Sequence, residues 1–520
     1  MIERKWWTLT VVSAGIFILL LDITIVNVAL PDIQRELHGS LSDLQWVIDA
    51  YALSLGALLL TAGSLADLLG RRLIFSIGIA IFTAGSLLCG VAPSPLFLIL
   101  ARAGQGIGGA IMFSTSLALL AEAFRGPERA TAFAVWGAIS GIAVAVGPVL
   151  GGAITSGLSW RWIFFVNVPI GAATLAATLL RLDESRDPAA RRPDWIGFAV
   201  FSCAFFAIIY GLIESDRRGW SSAVVIGSLA AGGALVVVFF ISQLLQRQPM
   251  FDLKLLRVPT FVGGLTTAFA LSASLFALIT YIVIYLQNLL HFSAVGTGVR
   301  LLSTTVAMFL MSALAGRLTA RLPIRLIIAP GFVLIGAGLL LMRGITPNSG
   351  WTHLLPGLIV AGAGAGLVNV ALASTAVGVV HPSRSGMASG INSTFRQIGI
   401  AAGTAAFGSV LATDVKGTVV SALRHTPLAP ASHRLATALS SGSAGHAIAA
   451  APQRFRGQLA HVALQAFASS LNALFLIGAI VAFAGATAAI PLIRQRDFVQ
   501  AQHGAEAAAH GAPEEVAHAA

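Results

Sequence analysis

Residues 6–31 read WWTLTVVSAGIFILLLDITIVNVALP, a run of 26 residues that carries one charge, Asp22. About 20 apolar residues suffice to cross the ~30 Å hydrocarbon core of a bilayer, so this stretch predicts a membrane-spanning helix. A carboxylate inside such a helix is costly and by default marks a substrate pathway or a proton site. Thr24 and Asn27 add two further polar side chains, and the helix reads as functional, not as an inert anchor.

The rest of the chain continues the pattern. Of 520 residues, 57% are hydrophobic and only 10% charged, against roughly a quarter in soluble domains, and Gly reaches 54. That composition belongs to an all-α polytopic membrane protein. The formal charge of +11 does not point to nucleic acid, because the basic residues stand in short clusters between apolar runs, where they set topology. Cys89 and Cys203 fall in apolar stretches and read as packing residues, with no support for a disulfide framework or a metal site. The first run is too long for a signal-peptide core and lacks a small-residue cleavage site, so it is expected to persist as the first span.

Fourteen apolar runs predict spans near 6–31, 43–66, 73–92, 96–121, 130–158, 162–181, 195–213, 221–244, 260–288, 295–316, 324–343, 353–379, 386–412 and 470–493. Nineteen of the 32 Lys and Arg fall at the termini or in connections that follow even-numbered spans. The short connections on the other side hold five, the long one at 413–469 holds five, and Arg102, Arg300 and Arg396 lie within spans. The basic side is cytoplasmic by the positive-inside rule, which puts both termini there.

GSLADLLGRR at 63–72 has a faint echo in GRLTARLPIR at 316–325. Two six-helix halves, 1–182 and 253–497, joined through 183–252 by linkers and a central pair of extra helices, account for the echo. Such repeats are common in transporters that rock around a central site. Loop 413–469 is expected outside the membrane with one surface helix near 452–468. The Ala-rich tail 498–520, with His503, His510 and His518, is expected to be disordered and not to bind metal.

Titratable groups are few. No Asp or Glu lies between Asp252 and Asp414 or between Asp414 and Asp497, so the second half has no acid within its spans. The carboxylates near a transport path reduce to Asp22, Asp49 about two turns into the second span, and Glu214 near the outer end of the seventh. Arg102, followed by Gln105, Gly106 and Gly108, must find a carboxylate or carbonyl partner at its depth. Arg396 can bind an anionic substrate group or hold backbone carbonyls across a helix seam. Asn27, Gln105, Asn369 and Arg396 are therefore candidate substrate or interface contacts. Two blander readings stand beside these: Asp49 stays hydrated near the surface, and Asp22 makes a structural bond to Asn27 or Arg102.

Two glycine-bearing strings carry their own physics. Gly147, Pro148, Gly151 and Gly152 lie in the fifth span, where Pro removes a helix hydrogen bond and Gly admits a close neighbour, so a kinked, tightly packed seam is expected. Plain helix packing explains those glycines equally well. Gly63, Asp67, Gly70, Arg71 and Arg72 mark a tight turn in which opposite charges and helix ends can latch one conformation and release another, or simply fix topology.

In order, LDITIVNVALP at 21, GSLADLLGRR at 63, LARAGQGIGG at 100, GPVLGG at 147 and WRWIFFVNVPIG at 160 resemble the signatures of the major facilitator superfamily. With fourteen spans the chain resembles that family's drug:proton antiporter branch, the multidrug exporters. The similarity covers nearly everything except 413–469 and the tail. It implies a major facilitator fold, proton coupling at Arg102, a latch at Asp67 to Arg72, and an antiporter seam in GPVLGG that seals the path against leak; Asp22 and Asp49 join Arg102 as the proton-coupling or substrate candidates because so few acids remain in the first half. Two positions depart from the family pattern: Ala143 stands where a Gly is usual, and Leu68 where a basic residue is usual.

The resemblance implies a monomeric, cofactor-free exporter in the cell membrane, not an enzyme, that exchanges protons for lipophilic drugs, cationic or neutral. One proton exchanged for a monovalent cation moves no net charge; a second would add the membrane potential, about 2.3 kcal/mol per 100 mV. Export of an anionic or zwitterionic metabolite or a self-made antibiotic is the alternative within transport, and a membrane receptor or scaffold the alternative outside it.

Overall fold

A computed structural model describes residues 3–498 except 40, 187–193, 247–248, 250, 320, 382–383, 425, 427–428, 430–431, 433–434 and 437–452. The tail at 499–520, with its histidines, lies outside the described residues, as do the side chains of Asn27 and Pro148.

All regular structure among the described residues is helical. The first group comprises α1 (Arg4–Leu37), α2 (Leu41–Leu69), α3 (Arg71–Gly90), α4 (Pro95–Ala123), α5 (Gly126–Gly157) and α6 (Asn167–Arg181), the last led in by the turn Trp162–Phe165. α7 (Trp195–Arg218) and α8 (Ala223–Leu245) follow. α9 is continuous through Pro259–Leu271, a π-turn at Ser272–Phe276, Ala277–Ile284 and a second π-turn at Tyr285–Leu289. α10 (Ala294–Thr319), α11 (Arg325–Leu341), α12 (Leu355–Gly378), α13 (Ser385–Leu423) and α14 (Gln453–Leu492) complete the chain.

Twelve of these helices are long and apolar enough to cross a membrane, and α5 makes a thirteenth if its two segments form one span. α11 is apolar but has 17 residues. Each helix falls where a span was expected. Local chemistry sets several of the ends. Ser94 accepts a hydrogen bond from the Phe97 amide at 3.3 Å with Pro95 in the first turn of α4, and the Asp194 carboxylate accepts one from the Gly197 amide at 2.6 Å at the start of α7.

Two regions differ from expectation. α5 bends by 41° between Thr131–Val144 and Val149–Gly157, with Pro148 in the break, so the expected kink is present; Pro has no amide hydrogen to give to the carbonyl four residues back. The loop expected at 413–469 is much shorter: α13 runs to Leu423 and α14 begins at Gln453, so the helix expected near 452–468 is the first part of α14. At 1.5 Å per residue a 39-residue helix is about 59 Å long, far beyond a bilayer core. Leu411, Val415, Val419 and Leu423 recur every four residues as a buried stripe, and Leu459, Val462 and Ala466 belong to the same core cluster. Alanine and short polar residues hide that stripe in a composition-based reading. Of the two cysteines, Cys89 is buried but Cys203 is exposed on α7, so it is not a core residue.

Packing divides α1–α6 from α9–α14. α2 packs on α4, α3 on α4 and α1 on α5; α10 and α11 both pack on α12, and α11 also on α14. The groups meet mainly where α5 runs along α10 and where α2 crosses α13. The extra pair does not separate them: α7 lies against both α2 and α13, and α8 packs on α7.

Candidate functional site

Asp22 has no solvent exposure and Arg102 has 2%. α1 and α4 bring them together as an ion pair, Arg102 Nη1 donating to Asp22 Oδ2. The other carboxylate oxygen accepts from Gln105 Nε2 at 2.9 Å and from Asn167 Nδ2 at 3.0 Å, so three helices converge on one acid. The guanidinium also donates to Gln105 Oε1 at 2.8 Å and to the Val47 carbonyl at 3.3 Å, and it stacks 4.1 Å above the Tyr51 ring. Asn167 in turn donates to Ser86 Oγ, which donates to the Phe164 carbonyl. Desolvating two charges is costly, and these hydrogen bonds are what make the buried pair tolerable, though Asn167 Oδ1 and the Tyr51 hydroxyl are buried without a partner among the described residues. Asp49, half-buried on α2, belongs to none of these bonds.

A second acid joins the two groups. Asp67, at the end of α2, accepts from Arg71 Nε at 3.0 Å and Nη2 at 2.8 Å. It also accepts from the amides of Gly386 at 3.0 Å and Met387 at 2.8 Å, in the first turn of α13. Those amides have no intrahelical carbonyl, and the positive end of the helix favours a carboxylate there. Arg71 is 1% exposed and reaches Glu122 Oε2 at 3.2 Å. Gly63 lets α2 and α13 touch: a Cβ on it would stand 2.2 Å from the Gly386 carbonyl oxygen. Gly70 adopts φ +121°, and the Glu184 carboxylate sits against it, accepting from the amides of Arg72 and Leu73 at 3.0 Å each. Arg72 itself donates to the Leu179 carbonyl at 2.7 Å and takes no part in the crossing.

On α5, a Cβ on Gly147 would meet Thr24 Oγ1 at 1.9 Å, and one on Gly151 the Ile25 side chain at 2.9 Å. Gly152 faces the other group, with Val295 of α10 at 2.5 Å from the same imagined atom. The seam thus binds α5 to the helix that carries Asp22 on one side and to α10 on the other.

Arg396, on α13, donates from Nη1 to Asn369 Oδ1 of α12 at 2.9 Å, and its guanidinium carbon lies 5.9 Å from the Phe276 ring centre. Two candidates from consecutive helices therefore share one site. Arg300 stacks between Phe292 and Trp351, at 3.5 and 5.0 Å, and donates to the Gly296 carbonyl at 2.7 Å. Glu214 is buried and accepts from Arg218 Nε at 2.5 Å.

The sequence profile of the Major Facilitator Superfamily matches residues 12–404. The chain belongs to that superfamily. Among curated members, the multidrug resistance protein Stp of Mycobacterium tuberculosis is 37% identical over 79% of this chain and 77% of its own length. The puromycin resistance protein pur8 of Streptomyces alboniger is 36% identical over 78% and 82% respectively. The tetracenomycin C resistance and export protein of Streptomyces glaucescens is 30% identical over 94% and 91%. Of solved structures, the human organic anion transporter MFSD10 aligns with a TM-score of 0.57 at 14% identity over 92% of this chain and all of that one. A bacterial homolog of the human lysosomal transporter Spinster aligns at 0.54 and 18%, over 95% and 99%. At those identities the likeness establishes the fold alone.

Within this superfamily member, several residues that complete the sites were not singled out from sequence. Asn167 lies in the quoted string WRWIFFVNVPIG, and its signal was a lone amide in an apolar run. Glu122 and Glu184 look like ordinary loop acids, and only the fold shows them serving Arg71 and the start of α3. The Gly386 and Met387 amides carry no sequence signal at all.

Proposed function

We propose that this protein is a proton-coupled antiporter that exports lipophilic drugs, cationic or neutral, from the cytoplasm by alternating access. Membership of the superfamily and three relatives named for drug resistance or export support drug efflux. The observation that carries coupling is the buried Asp22–Arg102 pair. Protonating Asp22 would leave Arg102 as an unbalanced charge in a dry site, and breaking a buried pair costs about 3–5 kcal/mol. Proton binding and conformation are therefore linked: the protonated state is stable only where Arg102 finds water or another partner.

The Asp67 crossing supplies the conformational element. It ties the ends of α2 and α13 together, and α5 and α10 stay packed, so opening at the Asp67 end requires the two amide bonds to Asp67 to break. We place this end and both termini in the cytoplasm, because the basic residues concentrate there. On this reading the chain makes fourteen crossings as a monomer, with bundles at 1–182 and 253–497 and the extra pair within 183–252. Asp49 is assigned as a second coupling or substrate acid.

The test is uptake of ethidium into inside-out vesicles with and without an imposed interior-acid pH gradient. Uptake should rise with the gradient and collapse when it is discharged. Equal uptake in both conditions overturns the reading.

A further inference from the structure

Arg396 is anomalous in one respect that the export reading does not use. It lies in α13, where the helix's one acid, Asp414, stands eighteen residues further along, and it makes no ion pair among the described residues. A guanidinium stays protonated at any physiological pH, so its charge cannot be relieved by titration. Its hydrogen-bond partner is the neutral oxygen of Asn369, and it remains partly exposed.

The surroundings are built, not incidental. Gly399 and Gly403 bring α13 onto α9, where added Cβ atoms would stand 2.6 Å from the Phe269 carbonyl and 2.8 Å from Ala273. The π-turn Ser272–Phe276 inserts one extra residue at that contact, and Phe276, its last residue, turns a ring toward the guanidinium. Such bulges concentrate at functional sites. One turn before Arg396, on the same face of α13, Asn392 is 3% exposed and its Nδ2 donor has no partner. Ser272 Oγ, buried beside Gly399, is likewise unpartnered. Neighbouring residues place this corner on the seam between the groups: Val370 faces Gly137 of α5, and Gln397 faces Gly56 of α2.

We propose that Arg396, positioned by Asn369 and backed by Phe276, is a subsite for an ionised acid group of the transported molecule, with Asn392 Nδ2 as a second donor. The inference rests on the export reading and narrows it: among net-neutral aromatic drugs, zwitterions that carry a carboxylate or phenolate are favoured. The guanidinium offers a planar fork that matches a carboxylate, and the ring adds an aromatic face. A lipid headgroup phosphate could present the same oxygens, and the test separates the two.

The probes are rhodamine B, a zwitterion with a free carboxylate, and its ethyl ester, a cation with the same ring system. Binding is measured by fluorescence polarisation on full-length protein in phosphatidylcholine nanodiscs, with no gradient. Wild type should bind rhodamine B at least about tenfold tighter than the ester, the scale of a charge-assisted hydrogen bond. Arg396→Gln should bring the ratio toward unity, and Arg396→Lys should retain part of it. Asn369→Asp keeps both the shape and Arg396, but supplies an internal carboxylate; it should also abolish the preference, even if Arg396→Gln folds poorly. A wild-type ratio near unity, no binding of rhodamine B, or a ratio that survives Asn369→Asp overturns the proposal. If phosphatidylglycerol added to the discs erases the preference, the ligand is a lipid phosphate and the substrate assignment fails. Because binding needs no gradient, loss of pH-driven flux with an intact binding ratio would count against export alone.

Discussion

Arg102 and Arg396 are both arginines inside apolar helices, yet the protein treats them in opposite ways. Arg102 is buried against its partners: its charge meets Asp22, further donors meet Gln105 and the Val47 carbonyl, and an aromatic ring covers its face. Arg396 is left open with one neutral partner. A buried pair stores free energy that a proton can release, whereas an open cation can be completed only by something that arrives. Arg71 stands between the two, buried against Asp67 but sharing that acid with the amides of another helix, so its charge balance depends on whether the crossing is made.

The largest effect is expected where the buried pair is broken. Arg102→Ala strands a buried carboxylate and should cost about 3–5 kcal/mol of stability, along with pH-driven flux. Arg102→Lys should recover little, because one ammonium cannot serve Asp22, Gln105 and Val47 from a planar fork. Asp22→Asn keeps the shape and an acceptor oxygen for Asn167 but leaves Arg102 unbalanced, so it should lose coupling and also melt lower, by up to about 3–5 kcal/mol. Thermal melting paired with vesicle flux checks all three. Wild-type values in Arg102→Ala would remove the distinction between the two arginines.

Asp67→Asn comes next. Hydrogen bonds to a charged group contribute about 1.5–3 kcal/mol, so weakening those to Gly386, Met387 and Arg71 should move the balance of conformations by roughly one to two orders of magnitude. Spin labels at Leu73 and Leu322, exposed near this end, should report a longer distance by pulsed EPR in the variant. An unchanged distance distribution would reduce the crossing to a topology marker.

Arg396→Gln should be mild for folding. A partly exposed side chain with one charge-assisted hydrogen bond contributes about 1.5–3 kcal/mol, so melting should shift less than for Arg102→Ala. A loss as large as that of Arg102→Ala would show that Arg396 is a structural clamp and not an open site.

How much of this was legible follows from what each residue needs. Asp22, Arg102 and Asp67 are charged residues in apolar runs, and charge in hydrocarbon is visible in any sequence. Their partners were less so, because Asn167, Ser86 and the Gly386 amide are ordinary groups made special by packing. The spans were readable from apolar run length, and the bend in α5 from Pro148. The extension of α13 and α14 beyond span length was not, since its buried stripe of Leu and Val every fourth residue is diluted by Ala, Thr and Gly to look like a loop. The pairing of Asn369 with Arg396 needed the crossing of α12 and α13, which no local pattern encodes.

The smallest effect tests how tightly the Arg102 site is packed. Gly104 and Gly106 flank Gln105 on α4, two residues apart, and would be equivalent on composition alone. A Cβ on Gly106 would stand 2.1 Å from Ser54 Oγ and 2.5 Å from the Tyr51 carbonyl oxygen, on the helix whose Tyr51 ring covers Arg102. Nothing lies within 4 Å of a Cβ on Gly104. Gly106→Ala must push α2 away from α4 and should cost about 1–3 kcal/mol, as overpacking does. Gly104→Ala meets no neighbour and gains helix propensity, so it should leave flux unchanged and stabilise by up to about 1 kcal/mol. Melting curves of the two variants, side by side, decide the matter. If Gly104→Ala destabilises as much as Gly106→Ala, then α4 is sensitive to any added volume, and the tight packing of the Arg102 site belongs to the whole helix and not to its contact with α2.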